Sequence, residues 1–231
     1  MKINGFQKLT LLDFPNKTAC TIFTPGCNFR CPFCHNALLV TEINENYNIE
    51  DSEIFDYLSK RQGLLDGVCI TGGEPLIQDG IEEFIKKIKD MGYLVKLDTN
   101  GSRPERLSSL INNGLLDYVA MDVKNSIPHY GKTIGIEGFD CTSIIDSINL
   151  LLESKIDFEF RTTVVREFHT KDDLAEVCEI VKDAPNYYLQ QFVDSGGTIQ
   201  KGLSAYPETE LKSIYSELCK TYKNVHLRGV K

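Results

Sequence analysis

Positive charge is scarce in this chain of 231 residues: 25 Lys and Arg stand against 33 Asp and Glu, a net charge of −8, and the basic residues nowhere form a run. A nucleic-acid binder neutralises phosphates with a basic face, so no nucleic-acid partner is expected. Long apolar runs are missing too. No segment approaches the roughly 18 consecutive apolar residues that would span a bilayer. The opening MKINGFQKLTLLDFPNK lacks the unbroken apolar stretch and small-residue cleavage site of an export signal. No membrane association and a cytoplasmic location are therefore expected, and in that compartment thiols stay reduced. No internal repeat, low-complexity tract or Gly/Ser/Pro-rich linker divides the chain, so one domain over residues 1–231 is expected, long enough to bury a full core. GKT, Gly131 to Thr133, is not a P-loop, because Ser126 stands where G-x-x-x-x-G-K needs its first glycine.

What the sequence has is alternation. Short apolar runs rich in β-branched residues predict strands at Thr18 to Phe23, Gly67 to Gly72, Tyr93 to Thr99, Tyr118 to Val123, Asp157 to Val164 and Tyr187 to Phe192. Between them lie stretches of helical period, at Asn48 to Arg61, Ile81 to Met91, Pro104 to Asn113, Cys141 to Glu153, Lys171 to Lys182 and Pro207 to Thr221. Repeated strand–helix units make a parallel sheet, either an incomplete barrel or an open doubly wound sheet, and in both the chemistry gathers at the carboxyl ends of the strands. The longest irregular connection, Asn125 to Asp140, is read as a lid or partner surface.

Three of the eight cysteines crowd into TPGCNFRCPFCHN, Thr24 to Asn36. Cys27, Cys31 and Cys34 follow C-x3-C-x2-C on a loop after the first predicted strand, where Pro25, Gly26, Asn28 and Pro32 disfavour regular structure and let the backbone aim several thiols at one point. CPFCH matches the attachment signature of a c-type haem, but that chemistry takes place outside the cytosol. CPFC resembles a redox dithiol, which needs neither a third cysteine nor the three-residue offset. Structural zinc could be written with Cys27, Cys31, Cys34 and His35; against it, Cys34 and His35 are neighbours, and closed tetrahedral sites take ligands in spaced pairs. The remaining reading is a four-iron cluster on three thiolates, with one iron open to substrate or cofactor. Cys20, Cys69, Cys141, Cys178 and Cys219 lack ligand spacing and read as small buried hydrophobes. His129, His169 and His226 stand alone and read as surface or satisfied structural residues.

Further polar clusters close predicted strands. TGGEP, Thr71 to Pro75, ends the second; Gly72 and Gly73 permit close approach of a small charged ligand and Pro75 stiffens the turn. LDTNG, Leu97 to Gly101, ends the third and MDVK, Met121 to Lys124, the fourth. Taken singly, the first could be a plain strand-to-helix turn and the others an ion pair or helix cap.

In company, these motifs carry a family likeness. GCNFRCPFCHN resembles the cluster loop of radical S-adenosylmethionine (radical SAM) enzymes, and TGGEP resembles that family's motif for the cofactor's amino group. The resemblance implies an α/β fold, an incomplete parallel (β/α)6 barrel. It implies a 4Fe–4S cluster held by Cys27, Cys31 and Cys34, with S-adenosylmethionine ligating the open iron through its amino and carboxylate groups. Cofactor contacts are implied for Phe33 and His35 in the loop, for Gly72, Gly73, Glu74 and Pro75, and for Asp98, Thr99 and Asn100. Asp98 would face the amino group, Asp122 the ribose, Lys124 the methionyl carboxylate, and Arg161 the carboxylate or Glu74. In some members the equivalents of Asp98, Thr99 and Asp122 also surround a monovalent cation. Asp-x-Lys, CHN and FRTTVV resemble the glycyl-radical-enzyme activases, some of which carry a ribose-contacting His where this chain has LQQF; Gln191 is the expected substitute.

The opening GFQKLTLLDFPNKTACTIFTPGCNFRCPFCHN is similar to that of anaerobic ribonucleoside-triphosphate reductase activating proteins. That similarity implies reductive cleavage of S-adenosylmethionine to a 5′-deoxyadenosyl radical, which takes hydrogen from a glycine of the partner reductase. It also implies a low-potential electron donor such as flavodoxin or ferredoxin, and no catalytic residue apart from the cofactor sites. The alternatives are an activase of the pyruvate formate-lyase type, a radical SAM enzyme acting on a small molecule such as a deazapurine precursor, and a non-catalytic zinc or cluster-binding module.

Overall fold

The structure, a computed structural model, describes residues 1–44, 47–194 and 196–230. Its strands are β1 (Gly5–Thr10), β2 (Ala19–Thr24), β3 (Gly67–Gly72), β4 (Leu94–Thr99), β5 (Tyr118–Asp122), β6 (Asp157–Val164), β7 (Tyr187–Gln191) and β8 (Val225–Arg228). They form one sheet in sequential order. β1 lies antiparallel on β2, and every later neighbour pairs in parallel. β1 and β8 are the two edges, which leaves the curved sheet open, an incomplete barrel in which the expected six strands form the middle. The two edge strands were not expected. β1 reads GFQKLT with Gln7, Lys8 and Leu9 exposed, and β8 is a four-residue VHLR, so neither carries an apolar run.

The helices are α1 (Ala37–Thr41), α2 (Asp51–Ser59), α3 (Ile81–Asp90), α4 (Pro104–Asn112), α5 (Tyr130–Ile134), α6 (Thr142–Glu153), α7 (Lys171–Ile180) and α8 (Glu208–Thr221). The six longer ones match the expected segments to within a few residues. In α3 the apolar stripe Ile81, Phe84, Ile85 and Ile88 is buried, as a 3.6-residue period requires.

Strand alternation divides the sheet into two chemistries. Val95, Leu97, Val119, Met121, Phe158 and Phe160 join the main core with the helix stripes. Their alternates, Lys96 and Asp98 on β4, Asp122 on β5, and Glu159 and Arg161 on β6, are on the opposite face and line cavities instead. The amino ends of the strands are closed by a small separate cluster of Phe14, Ala19 and Cys69, against which Leu94 and Tyr118 pack. Gly67 makes room for that plug, because a Cβ there would lie 2.9 Å from the Phe14 ring.

The connection from Asn125 to Asp140, expected to be a lid or partner surface, is anchored to the body of the fold. It contains a 3-10 turn (Ile127–His129) and α5, with Asn125, Ser126, Tyr130, Thr133 and Ile134 buried. Asn125 Nδ2 donates to Thr133 Oγ1 and to the Phe168 carbonyl, both at 2.8 Å, so the segment is a fixed wall. Among the described residues no helix is long and apolar enough to cross a membrane.

Candidate active site

The cysteine loop leaves the carboxyl end of β2 and is held from several sides. Gly26, at φ 79°, donates its N–H to Leu39 O (2.7 Å) and accepts from Glu74 N (2.8 Å). Gly73 N donates to Thr24 O (2.8 Å), Arg30 N to Ile134 O (2.9 Å) and Gln200 N to Pro32 O (2.8 Å). The Gly72–Gly73 turn lies directly on this loop. A Cβ on Gly73 would sit 1.7 Å from Gly26 O, and one on Gly72, whose φ is 122°, 2.4 Å from the Thr24 backbone. Only glycine permits this approach. Asn36 adds a side-chain bond to Gly72 O at 2.9 Å, which ties the end of CHN to TGGEP.

Cys27, Cys31 and Cys34 thereby line a single cavity of about 230 Å³ at the carboxyl ends of the strands. Phe33, His35, Gly72, Gly73, Asp98, Thr99, Asn100, Asp122, Lys124 and Arg161 share its wall, so most residues singled out in the sequence meet in one place. A ladder of charges crosses it. Arg161 Nε donates to Asp122 Oδ1 (2.9 Å) and its Nη1 to Asp98 Oδ2 (3.1 Å). Lys124 donates to Asp122 Oδ2 (2.9 Å), and Lys96 pairs with Asp98 from below. Asp122 and Arg161 are register partners on neighbouring strands, which sets them side by side on one face.

Burial alone would raise both carboxyls and depress both cations; the pairing reverses this. Asp122 is held at about 2 by Arg161 and Lys124, and Asp98 is held below its usual range by Arg161 and Lys96. Lys124 stays charged against burial through Asp122. Burial pushes the thiols the other way, Cys31 up to about 12, Cys27 to about 11, and Cys34 above its ordinary value. Lys124 is the cation that opposes the rise at all three.

Three residues expected at the cofactor stand outside this cavity wall. Glu74 and Pro75 do not line the cavity. The Glu74 carboxylate is fully buried and turned into its own turn, accepting from Leu76 N (3.0 Å), Thr99 Oγ1 (2.8 Å) and Asn100 N (2.7 Å). What it gives the site is the join between the TGGEP and LDTNG turns. Gln191 also faces away, its Nε2 donating to Tyr206 O at 3.0 Å, and Gln190 lines the cavity in its place. The register explains why: Gln191 pairs with the buried Val164, and Gln190 with Thr163, another wall residue not foreseen. Thr163 follows Arg161 by two positions on β6, so alternation would have found it. Thr71 and Asn36 were inside quoted motifs but were not singled out, and both line the cavity. His35 is in the wall with its ring stacked on Phe192 (5.4 Å) and Nε2 against Val193 O (2.8 Å). Thr99 spends its hydroxyl on Glu74, and the Asp98–Asp122 gap is already bridged by Arg161, so a monovalent cation there would displace existing bonds.

The scattered cysteines behave as ordinary core residues. Cys20, Cys69, Cys141 and Cys178 are buried free thiols, and Cys219 is partly buried. Among the described residues no three His, Cys, Asp or Glu side chains are arranged to hold a single metal ion. The loop thiols surround a cavity instead of a point. Three soft sulfur donors with one ammonium facing them suit a multi-iron cluster better than one tetrahedral ion.

A profile described as the radical SAM superfamily matches residues 21–181. A protein of Methanocaldococcus jannaschii, provisionally named a glycyl-radical enzyme activating enzyme, is 34% identical across 99% of this chain and 96% of its own length. A 7-carboxy-7-deazaguanine synthase of Clostridium acetobutylicum is 30% identical over 62% of this chain and 64% of that protein. Among solved structures, Streptococcus suis SuiB bound to S-adenosylmethionine superposes with a TM-score of 0.68 at 13% identity, over 90% of this chain and 52% of that one. That last likeness is one of fold.

Proposed function

The chain belongs to the radical SAM superfamily, whose members use a 4Fe–4S cluster and S-adenosylmethionine, and from that premise we propose that it activates a glycyl radical enzyme. The proposed partner is an anaerobic ribonucleoside-triphosphate reductase, and the electron source a low-potential donor such as flavodoxin or ferredoxin. The observation that carries the reading is that Cys27, Cys31 and Cys34 share one cavity with the Asp98–Arg161–Asp122–Lys124 ladder. When bound, cluster and cofactor together supply reductive cleavage of the carbon–sulfur bond and a 5′-deoxyadenosyl radical able to take hydrogen from a glycine of the partner.

The chain's own residues bind and orient. The three thiolates hold the cluster, and Lys124, poised between Asp122 and the thiols, takes the methionyl carboxylate. Asp98 takes the amino group, with Gly72 and Gly73 offering backbone at close range. Phe33 and His35 supply aromatic surface for the adenosine, and Asp122 the ribose contact. Arg161 holds both aspartates in the cavity wall, where they would meet the cofactor.

The test is anaerobic mixing of reconstituted protein, S-adenosylmethionine, reductant and a candidate reductase. A glycyl radical on the reductase, seen by electron paramagnetic resonance together with 5′-deoxyadenosine, is the expected result. Deoxyadenosine without a protein radical would favour the second reading, a small-molecule enzyme acting on a deazapurine precursor, which the similarity to a deazaguanine synthase supports.

A further inference from the structure

The three loop thiols do not receive the same hydrogen bonds. Cys27 Sγ accepts two: Phe29 N at 3.3 Å and Asn100 Nδ2 at 3.7 Å. Cys34 accepts the Asn36 backbone N–H, and among the described residues no donor is recorded for Cys31. The Asn100 contact is the only one of these made by a side chain, and it reaches across from the end of β4.

That side chain is aimed. Asn100 Oδ1 accepts from Ser102 N at 2.9 Å, so its amide NH2 has to point to the other side, which settles which end faces the sulfur. One NH2 hydrogen goes to Asn28 Oδ1 (3.0 Å) and the other is left for Cys27. The Asn100 backbone N–H is pinned on Glu74 Oε2 (2.7 Å), and Asn28 Nδ2 closes the clamp on Ser102 Oγ (2.8 Å). Asn100 is 6% exposed, so water does not compete for the contact.

We infer that Asn100 is a positioning residue that sets the reduction potential of the cluster, by donating an N–H···S hydrogen bond to the Cys27 ligand. The inference rests on the cluster reading above. Reduction adds one electron from an external low-potential donor and leaves the cluster one charge more negative, with no bond made or broken. A donor directed at a ligand sulfur stabilises the more negative state and raises the potential. Asn100 therefore makes a strongly reducing centre easier to charge.

The experiment is a redox titration of anaerobically reconstituted protein without S-adenosylmethionine, read by electron paramagnetic resonance. At the wild-type midpoint, Asn100→Ala should show a ratio of reduced to oxidised cluster about tenfold lower, a shift of about 59 mV for one electron. Asn28→Ala, which loosens the clamp but keeps the sulfur contact, should stay near the wild-type midpoint. Equal shifts in both variants, or none in Asn100→Ala with its cluster intact, would overturn the inference. Should Asn100→Ala not retain a cluster, wild-type protein carrying 15N in the asparagine side-chain amide decides. A 15N hyperfine coupling to the reduced cluster is expected, and its absence counts against the inference. Failure of wild-type protein to form any cluster would instead sink the functional reading.

Discussion

Arg161 bridges two aspartates, each of which also pairs with a lysine. Its guanidinium spans Asp98 and Asp122, two half-buried carboxylates in the cavity wall. Without Arg161 each carboxylate keeps one lysine partner but loses a charged hydrogen bond, so Arg161→Met should cost about 1–3 kcal/mol in a denaturant titration of the cluster-free protein. Arg161→Lys, which keeps the charge and loses the fork, should cost less. Glu74 makes a different prediction, one of pH. Burial raises its carboxyl to about 7, against the downward pull of the Asn100 and Leu76 N–H groups and the Thr99 hydroxyl. The folded state thus binds its proton more tightly than the unfolded chain, whose carboxyl titrates near the ordinary 4.5. Stability should therefore fall as pH rises from 4.5 to about 7 and level off above. Glu74→Gln should remove that slope in melts taken across the same range. Among the cysteines, Cys31→Ala should abolish cluster retention and cofactor cleavage, whereas Cys178→Ala, deep in the α7 stripe, should retain both. Equal loss of iron from both would show that the loop thiols are not special.

At the scale of elements, the site is a stack of turns that fit only because certain side chains are absent. Gly73→Ala would drive a methyl into Gly26 O, so the TGGEP turn has to lift off the cysteine loop. The expected result is a folded protein that retains much less iron per chain after reconstitution. At the opposite end of the strands, Phe14→Ala should lower stability by about 3–5 kcal/mol, the cost of a large core cavity, and leave iron content unchanged. The elements that carry this stack were legible in the sequence wherever a face was apolar. The six inner strands and six long helices all have such a face. β1 and β8 are too short and too polar to show one, with only Phe6 on β1 and Val225 and Leu227 on β8 packing on the core. In the site, residue type was legible and direction was not. Two consecutive glutamines gave no sign of which faced the cavity, and only pairing with Thr163 selects Gln190. Glu74 is expected at the cofactor from the likeness of TGGEP to a family motif. Its orientation follows from three donors in the turn, two of them backbone N–H groups that no motif displays.

For the molecule as a whole, the same alternation that buries apolar residues under the helices puts the charges on the other face of the sheet, and the three thiols close the carboxyl end of that charged interior. The charges on that face pair with one another and open onto the cavity that the thiols share. In the proposed function that cavity would hold a 4Fe–4S cluster on Cys27, Cys31 and Cys34 together with S-adenosylmethionine. The measurement that tests this most directly is the electron paramagnetic resonance spectrum of the reduced, anaerobically reconstituted protein, taken before and after adding S-adenosylmethionine. The account predicts iron and sulfide near four each per chain and a signal that changes shape when the cofactor binds. A single zinc without sulfide, or a fully ligated cluster whose signal ignores the cofactor, would contradict it.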